Sequence, residues 1–200
     1  MQHGSEHHTR HADPRQAILE ATLDMLEGTD ITQITMGSVA REAGINHAAP
    51  YKHFPDKSAL LAELSLLGFD RLTQAIQGAH TATFGGLSEE LTSMCRSYLA
   101  FAEYHPSLYR LMFSNEAPHG PRTHQDPRSR APLHVVVDLL ERGQAAGHIR
   151  PGDPRGLATA CWAHLHGLTL LALEDLLGER KVGPEIERST IEFLVDALAA

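Results

Sequence analysis

The 200-residue sequence contains only two cysteines, Cys95 and Cys161, and a single tryptophan. The cysteines lie in separate apolar patterns and form no C-x-x-C pair, which argues against a disulfide framework and favours two small buried side chains. Long hydrophobic runs are also missing, because polar residues interrupt the most apolar stretch, 165–177. The N-terminus lacks the charged-then-apolar pattern of a signal peptide. These absences predict a cytoplasmic, soluble protein.

Basic residues are scarce as well. The chain has 17 Lys and Arg against 25 Asp and Glu, a formal net charge of −8. Indiscriminate nucleic-acid binding by the whole molecule is therefore disfavoured, and any such contact requires a local patch. Signatures of catalysis are missing too: there is no nucleophile–base pair at motif spacing, no glycine-rich phosphate loop and no H-E-x-x-H. We expect a protein that is not an enzyme and carries no cofactor.

The alternation of apolar and polar residues that is typical of strands is absent throughout the sequence. Apolar residues instead recur at helical spacing from Asp13 to about Leu198. The predicted fold class is all-α, with about nine helices. Asp13-Pro14 and Asp153-Pro154 have the residues of helix starts, with the second helix expected to run to Leu177 and stop at Gly178. The proline-rich segment 114–132 is expected to be a loop, followed by a helix from Leu133 to Ala146.

Residues 35–53 have the pattern of helix, sharp turn, helix. Gly44 supplies the left-handed conformation that the turn needs, and Ile45 can plug the gap between the helices. Asn46 can cap the second helix, although Pro50 lacks an amide there and either tightens or displaces the helix start. This helix is too short to stand alone, so its neighbours must hold it and leave one face free. That is how a helix-turn-helix offers a recognition helix to the major groove.

The chemistry of this free face suits DNA. Ala48 is small enough for close approach to base edges, while the side chains of His47 and Lys52 can reach bases or phosphates. The exposed backbone amides at the helix starts, at Thr35 and beside Lys57, favour the binding of a phosphate group. Seven residues are predicted to contact DNA: Thr35, His47, Ala48, Tyr51, Lys52, His53 and Lys57. Other interpretations stay open, in which Tyr51 is a core aromatic, His53 caps a carbonyl, and the two lysines are plain solvated charges.

Residues 1–60 hold five Lys and Arg against eight carboxylates, a formal charge of −3. Binding must therefore depend on the local patch, be modest for one subunit and weaken with salt. Pairing two subunits would multiply such weak half-site binding.

Segment 14–60 resembles the DNA-binding domain of the TetR family of bacterial transcriptional regulators. The residues that carry the resemblance are Thr35-Met36, Val39-Ala40, Ala43-Gly44-Ile45, Tyr51-Lys52-His53-Phe54 and Lys57. It implies a three-helix DNA-binding domain joined by a fourth helix to an all-helical ligand-binding and dimerisation domain. It also implies a homodimeric repressor that a small molecule releases from DNA. The chain departs from the family pattern at Asn46-His47-Ala48-Ala49-Pro50, which leaves the base preference open.

The resemblance, with a composition shift near residue 80, suggests four segments. They are a flexible N-terminal arm (1–12), a helix-turn-helix DNA-binding domain (13–57), a connecting helix (58–80) and a ligand-binding and dimerisation domain (81–200). The histidines of the arm have no helix to fix them, so a solvated tail is favoured over a metal site. The second half more weakly resembles a C-terminal subgroup of the family, through 105–113 and through Trp162 with His166-Gly167-Leu168.

A ligand cavity in the second domain would be mostly apolar with a few polar groups. Its candidate lining residues, which could also be ordinary core, are Tyr98, Phe101, Tyr104, Tyr109, Phe113, Trp162, His164 and His166. The last two face apart on a helix, so no shared metal is expected. A homodimer is expected through the last two helices, with Leu165, Leu168, Leu171 and Leu176 against Ile186, Ile191, Leu194, Val195 and Leu198. The alternative is a helical protein-interaction module that does not bind DNA.

Overall fold

The computed structural model describes residues 13–82, 86–113, 123, 125–178 and 185–200, so the predicted N-terminal arm lies outside the described residues. Within them the fold is all-α, as predicted, with nine α-helices and a short 3₁₀ helix, Ile31–Gln33. The helices are α1 (Pro14–Gly28), α2 (Met36–Glu42), α3 (Pro50–His53), α4 (Lys57–Ala82), α5 (Leu87–Tyr104), α6 (Pro106–Phe113), α7 (Pro127–Ala145), α8 (Pro154–Leu173) and α9 (Ile186–Leu198).

The chain divides into two compact units, Met1–Leu64 and Ser65–Ala200. Helix α4 starts in the first unit and continues into the second. In the first unit, Ile18, Val39 and Leu60 are fully buried and form the centre of the core. In the second unit the largest fully buried side chains include Tyr109, Leu108, Met112, Leu139 and Leu140. The domain boundaries expected from the sequence remain predictions.

Three helices begin with the same Asp-Pro pair. The carboxylate oxygens of Asp13, Asp126 and Asp153 each accept a hydrogen bond from a backbone amide in the first turn of α1, α7 and α8. A proline in the first turn loses no helical hydrogen bond, so the pair favours a helix start. Two of these starts were expected, but the third corrects the predicted loop at 114–132. Helix α7 begins at Pro127 and contains Pro132 in its interior.

The end of α8 is also different from the prediction. The helix ends at Leu173, not at Leu177, because Asp175 takes a left-handed conformation with φ of 54°. The amide of Leu176 then donates to the carbonyl of Leu171, at 2.9 Å, and closes the helix end. Aspartate tolerates this conformation better than most residues, so the chain stops the helix without using Gly178.

By length and composition alone, α8 is apolar enough to cross a membrane, with a mean hydropathy of 1.3. Its buried residues include Leu157, Cys161, Leu165 and Leu168, which pack inside the second unit. About a third of its apolar window (33%) is buried, and a single helix that passes this test is weak evidence for a membrane span.

Candidate DNA-binding surface and ligand cavity

Helix α2 has a fixed start. The Thr35 hydroxyl accepts from the Ser38 amide at 3.1 Å, and the Ser38 hydroxyl accepts from the Thr35 amide at 2.9 Å. This reciprocal pair satisfies two amides that a helix start otherwise leaves open. Thr35 itself is exposed, as a phosphate contact requires.

The turn after α2 has the predicted backbone. Gly44 takes the left-handed conformation, with φ of 66°, and the Ile45 amide donates to the Ala40 carbonyl at 3.0 Å. A residue with a Cβ would be strained at this φ. The half-buried Ile45 fits its expected place between the two helices.

Pro50 displaces the start of α3. Asn46 accepts from the Ala48 amide at 2.9 Å through its side chain and from the Ala49 amide at 2.8 Å through its carbonyl. These bonds close a tight turn, and the helix begins only afterwards, at Pro50. Pro50 is therefore the first helical residue, where a missing amide costs nothing. The helix is a single turn, closed by the Phe54 amide on the Pro50 carbonyl at 2.9 Å.

Phe54, the residue that follows α3, anchors the helix to the first unit. Its side chain is buried, and the guanidinium of Arg15 in α1 lies 5.3 Å from its ring centre. Arg15 also pairs with Glu63 in α4, at 3.1 Å. A cation over an aromatic face is attracted by the ring electrons. Neighbouring helices therefore support the short helix, which was the condition inferred from its length.

Three of the predicted DNA-binding residues lie on α3 and are exposed. Tyr51 is 53% exposed, and Lys52 and His53 are exposed as well. Tyr51 is thus not a core aromatic. Just before the helix, Ala48 is exposed in the tight turn. These four side chains lie within six consecutive positions and are free to meet a ligand.

His47 rests on Gly37, a contact that the sequence reasoning missed. The His47 ring occupies the space where a Cβ at position 37 would stand, while the residue as a whole stays exposed. Gly37 therefore makes room for the imidazole against α2. A glycine in the first turn of a seven-residue helix was the only signal available, since glycine weakens a helix and needs a reason to be there.

Lys57 is bound rather than simply solvated. It is half-buried, and its ammonium donates a hydrogen bond to the Ile31 carbonyl. The neighbouring Asp56 accepts from the Ala59 amide at 2.8 Å and so caps α4, as expected. Hydrogen bonds from the Thr32 hydroxyl and amide hold the pKa of Asp30 below its usual value, and the Lys57 charge adds to this effect. A fixed carboxylate thus offsets part of the positive charge.

The second unit contains a partly open cavity of about 420 Å³. Its wall is formed by residues of α4, α5, α6, α7 and α8. Four predicted ligand-binding residues lie in this wall: Tyr98, Phe113, Trp162 and His166. Phe101 and Tyr109 are instead buried in the core outside the wall. Tyr104, at the end of α5, is 79% exposed and does not line the cavity, because its turn of the helix faces solvent.

A hydrogen-bonded cluster of three residues, Tyr98, Tyr109 and His166, supports the cavity wall. The Tyr98 and Tyr109 hydroxyl oxygens are 2.8 Å apart, and the Tyr109 oxygen is 2.6 Å from Nδ1 of His166. Burial raises the pKa of Tyr98 and raises that of Tyr109 to about 12, so both phenols stay protonated. Burial lowers the pKa of His166, which favours the neutral imidazole at neutral pH.

Several wall residues were not predicted. Cys95 and Cys161 both line the cavity, and burial raises their pKa values to about 12 and about 11, so both are neutral thiols. Ser129 and Arg130 come from the segment expected to be a loop. Among the described residues, no group of three or more His, Cys, Asp or Glu side chains could hold a metal ion.

The predicted dimer seam is only partly available. Leu165, Leu168, Ile191, Leu194 and Leu198 are buried within the chain and cannot meet a partner. Two predicted seam residues, Leu171 and Leu176, are exposed, and so are Leu170 and Phe193, which were not predicted. Gly167 has open space above it. Part of the predicted seam is therefore accessible in the single chain, and the homodimer remains a prediction.

Comparison with known proteins agrees with this architecture. Residues 18–64 match the family described as bacterial regulatory proteins, tetR family. Residues 91–198 match the family described as tetracyclin repressor-like, C-terminal domain. The likeness to a subgroup with Trp162 and His166-Gly167 stays a prediction.

Individual known proteins are similar to this chain over most of its length. A protein of unknown function from Rhodococcus sp. RHA1 is 31% identical, with 98% of this chain and 100% of that chain covered and a TM-score of 0.83. The transcriptional regulator FadR from Bacillus subtilis, solved in complex with stearoyl-CoA, has the same fold at 16% identity, with 92% of this chain and 98% of that chain covered and a TM-score of 0.73. The nucleoid occlusion factor SlmA from Vibrio atlanticus is 28% identical over 80% of this chain and 83% of that protein.

The two matched families together cover both units and agree with the helix-turn-helix geometry of α2 and α3. They point to a transcription regulator and not to an enzyme. This chain belongs to the TetR family of DNA-binding transcriptional regulators.

Proposed function

We propose that the protein is a cytoplasmic, homodimeric repressor that binds a DNA operator and leaves it when a small molecule fills the cavity. The main observation in support of the proposal is that Tyr51, Lys52 and His53 are exposed on α3, while the next residue, Phe54, is buried and anchors the helix. The same seven residues named from the sequence make the DNA contacts: Thr35, His47, Ala48, Tyr51, Lys52, His53 and Lys57.

These residues divide into two roles. His47, Ala48 and Lys52 meet base edges in the major groove, where an imidazole and an ammonium can hydrogen-bond and a methyl can touch thymine. Tyr51, His53, Thr35 and Lys57 bind phosphate oxygens and fix the position of the helix on the duplex. The first class sets sequence preference, and the second sets affinity and its dependence on salt.

The apolar cavity supports a small-molecule effector. Its volume of about 420 Å³ falls within the ~300–1,000 Å³ typical of small-molecule sites. FadR from Bacillus subtilis accommodates stearoyl-CoA in the same fold. Helix α4 contributes Phe69, Leu72 and Ile76 to the wall and begins at Lys57. A ligand that favours a different α4 position would weaken DNA binding, provided that it binds that state more tightly.

A homodimer is proposed through the exposed apolar face of α8 and of the C-terminal segment. Leu171 is 43% exposed and Phe193 is 65% exposed, which is costly for an isolated chain. Two recognition helices in one dimer would read two half-sites and multiply weak single-site affinity.

The test starts from purified protein mixed with fragmented genomic DNA, since its operator is not known. Bound fragments should share a two-fold symmetric sequence. Fluorescence anisotropy on one such fragment should then show a strong loss of affinity for Tyr51→Ala. Arg155→Ala, which removes an exposed charge at the start of α8, serves as the matched control and should bind normally.

The rival proposal is a helical protein-interaction module. It predicts no bound fragments above background and no dependence of binding on salt. Equal affinity of wild type and Tyr51→Ala for the selected DNA would reject α3 as the reading element.

A further inference from the structure

The polar groups of the cavity wall are gathered at one end. Five of the described wall residues have a side-chain nitrogen or oxygen: Tyr98, Ser129, Arg130, Trp162 and His166. Three of them meet, because the Tyr98 oxygen is 3.5 Å from Nδ1 of His166 and the Trp162 ring centre is 5.8 Å from that of the imidazole. The Phe113 ring connects this group to α4, since its centre is 4.6 Å from that of His166 and 5.4 Å from that of Phe69.

An ion pair brings the other two polar residues to the same end. Ser129 and Arg130 lie in the first turn of α7, directly after Arg128. Nε of Arg128 donates to the carboxylate of Asp70 at 2.9 Å, and Asp70 follows Phe69 in α4. The start of α7 therefore lies beside Phe69. All five polar wall residues consequently surround one end of the cavity, which we call the polar end.

The opposite end of the cavity is apolar. Helices α4, α5 and α7 each place an apolar wall residue two turns, about 10 Å, from the polar end. These residues form the apolar end and are Ile76, Leu91 and Val136, seven positions from Phe69, Tyr98 and Ser129 respectively. Only four positions separate the end of α4 from the start of α5, so Ile76 and Leu91 lie toward the same end. Arg142, further along α7 than Val136, pairs with Glu90 at 2.6 Å and so places Val136 there as well.

This separation decides what the cavity can hold. At the polar end, a hydroxyl or carbonyl group of a ligand finds side-chain partners that replace its water. At the apolar end the described side chains offer no nitrogen or oxygen, so a polar group there would lose its hydration without compensation. An alkyl or aryl group is favoured at the same place, because its burial removes apolar surface from water. The cavity therefore favours a molecule whose own polarity is confined to one end.

We propose that the cavity binds single-headed amphiphiles, which are elongated molecules with an apolar body and one hydrogen-bonding head. The body lies against the apolar end, and the head lies at the polar end. Ile76, Leu91 and Val136 then determine specificity, because they reject a second polar group. The proposal rests on the proposed function in taking this cavity as the effector site.

Two probes of equal length test this arrangement: n-decanol and the decanediol that has a hydroxyl at each end. Trp162, the single tryptophan of the chain, lines the cavity, so its fluorescence should report binding. Decanol should bind saturably. The diol should bind more weakly by roughly tenfold or more, the effect of one hydroxyl buried without a partner.

A polar group introduced at the apolar end should reduce this difference. Val136→Thr keeps the shape of the side chain and supplies a partner for the second hydroxyl of the diol, and Val136→Asn supplies a longer one. In at least one of these variants the diol should gain affinity relative to decanol by roughly threefold or more. Val135→Thr is the matched control, because Val135 is half-buried on the same helix and does not line the cavity. It should keep the wild-type difference, and circular dichroism checks that all three variants are folded.

Equal affinity of the wild type for the two probes, failure of decanol to bind, or an unchanged difference in both Val136 variants would overturn the proposal. Operator binding is measured in parallel by the anisotropy of labelled DNA. If decanol binds as expected but does not release DNA, the ligand class stands and the effector part of the proposed function fails. If the operator binds and decanol does not enter the cavity, the ligand class fails and the DNA-binding role stands.

Discussion

The ammonium of Lys57, in the first turn of α4, donates a hydrogen bond to the carbonyl of Ile31 in the 3₁₀ turn. An ammonium has three N–H donors, so this contact leaves two for other acceptors. The residue therefore joins two parts of the first unit and can still bind a phosphate oxygen. On the proposed function, Lys57 contributes both to stability and to DNA affinity.

Lys57→Met should reduce both properties. The change keeps the apolar stem and removes the hydrogen bond, so the free energy of unfolding should fall by about 1 kcal/mol. The slope of log affinity against log salt should fall by about one per subunit, as expected for one lost phosphate contact. Lys52→Met is the matched control, because Lys52 is exposed on α3. It should weaken DNA binding with unchanged denaturant unfolding. Destabilisation by both variants alike would contradict a special role for the Ile31 contact.

Gly37→Ala should move His47. The added methyl would overlap Nε2 of the imidazole, and the exposed ring can swing away without disturbing the core. Alanine is also a better helix former by about 1 kcal/mol, so thermal stability should not fall. If His47 reads bases, the preferred operator sequence should change, and selection from a random DNA library would detect it. Gly78→Ala, where the added Cβ would meet no other part of the described chain within 4 Å beyond its own helix backbone, should leave the preference as in wild type.

Leu171→Glu should produce a monomer. The side chain is exposed in the single chain, so the change costs little unless a second copy covers this position. Light scattering after size-exclusion chromatography measures the mass, and circular dichroism checks that helicity is retained. His134→Glu, at an exposed position of α7, should remain dimeric. A dimer that survives both Leu171→Glu and Phe193→Glu would place the interface elsewhere.

Acidification should destabilise the second unit through His166. Burial lowers the pKa of the folded-state imidazole, so the unfolded chain binds the proton more readily. This stabilising contribution is complete above the unfolded pKa of about 6.5 and is lost as the pH falls below it. Denaturant unfolding between pH 7.5 and pH 5.5 should show a shallower pH dependence for His166→Phe than for wild type. Parallel curves for the two proteins would exclude His166 as a source of the effect.

Local chemistry made part of this structure predictable. Asp-Pro pairs identify helix starts because both residues act within their own turn, and Gly44 is needed for a backbone angle that few residues adopt. Prolines misled the prediction of α7, since packing in the second unit tolerates Pro132 inside a helix. Likewise, the left-handed Asp175 ended α8 four residues before the expected Leu177.

Burial was harder to predict than helicity. The leucines of α8 occur on more than one face, so spacing cannot tell which are covered by the chain itself, such as Leu165 and Leu168, and which stay exposed, such as Leu171. The same limit explains Tyr104, an aromatic residue at helical spacing that faces solvent. The contact of His47 with Gly37 depends on the path of the turn between α2 and α3, which no residue pattern specifies.

The late start of α3 at Pro50 has a consequence for the proposed DNA-reading residues, because their side chains do not hold the helix in place. One backbone hydrogen bond closes this helix, and Phe54, not the solvent-facing side chains, anchors it to the rest of the unit. Substitutions at Ala48, Tyr51 or Lys52 therefore leave the scaffold intact. If these side chains read the operator as proposed, the protein can acquire a new DNA target by replacing a few side chains in and just before α3, with the remaining architecture unchanged.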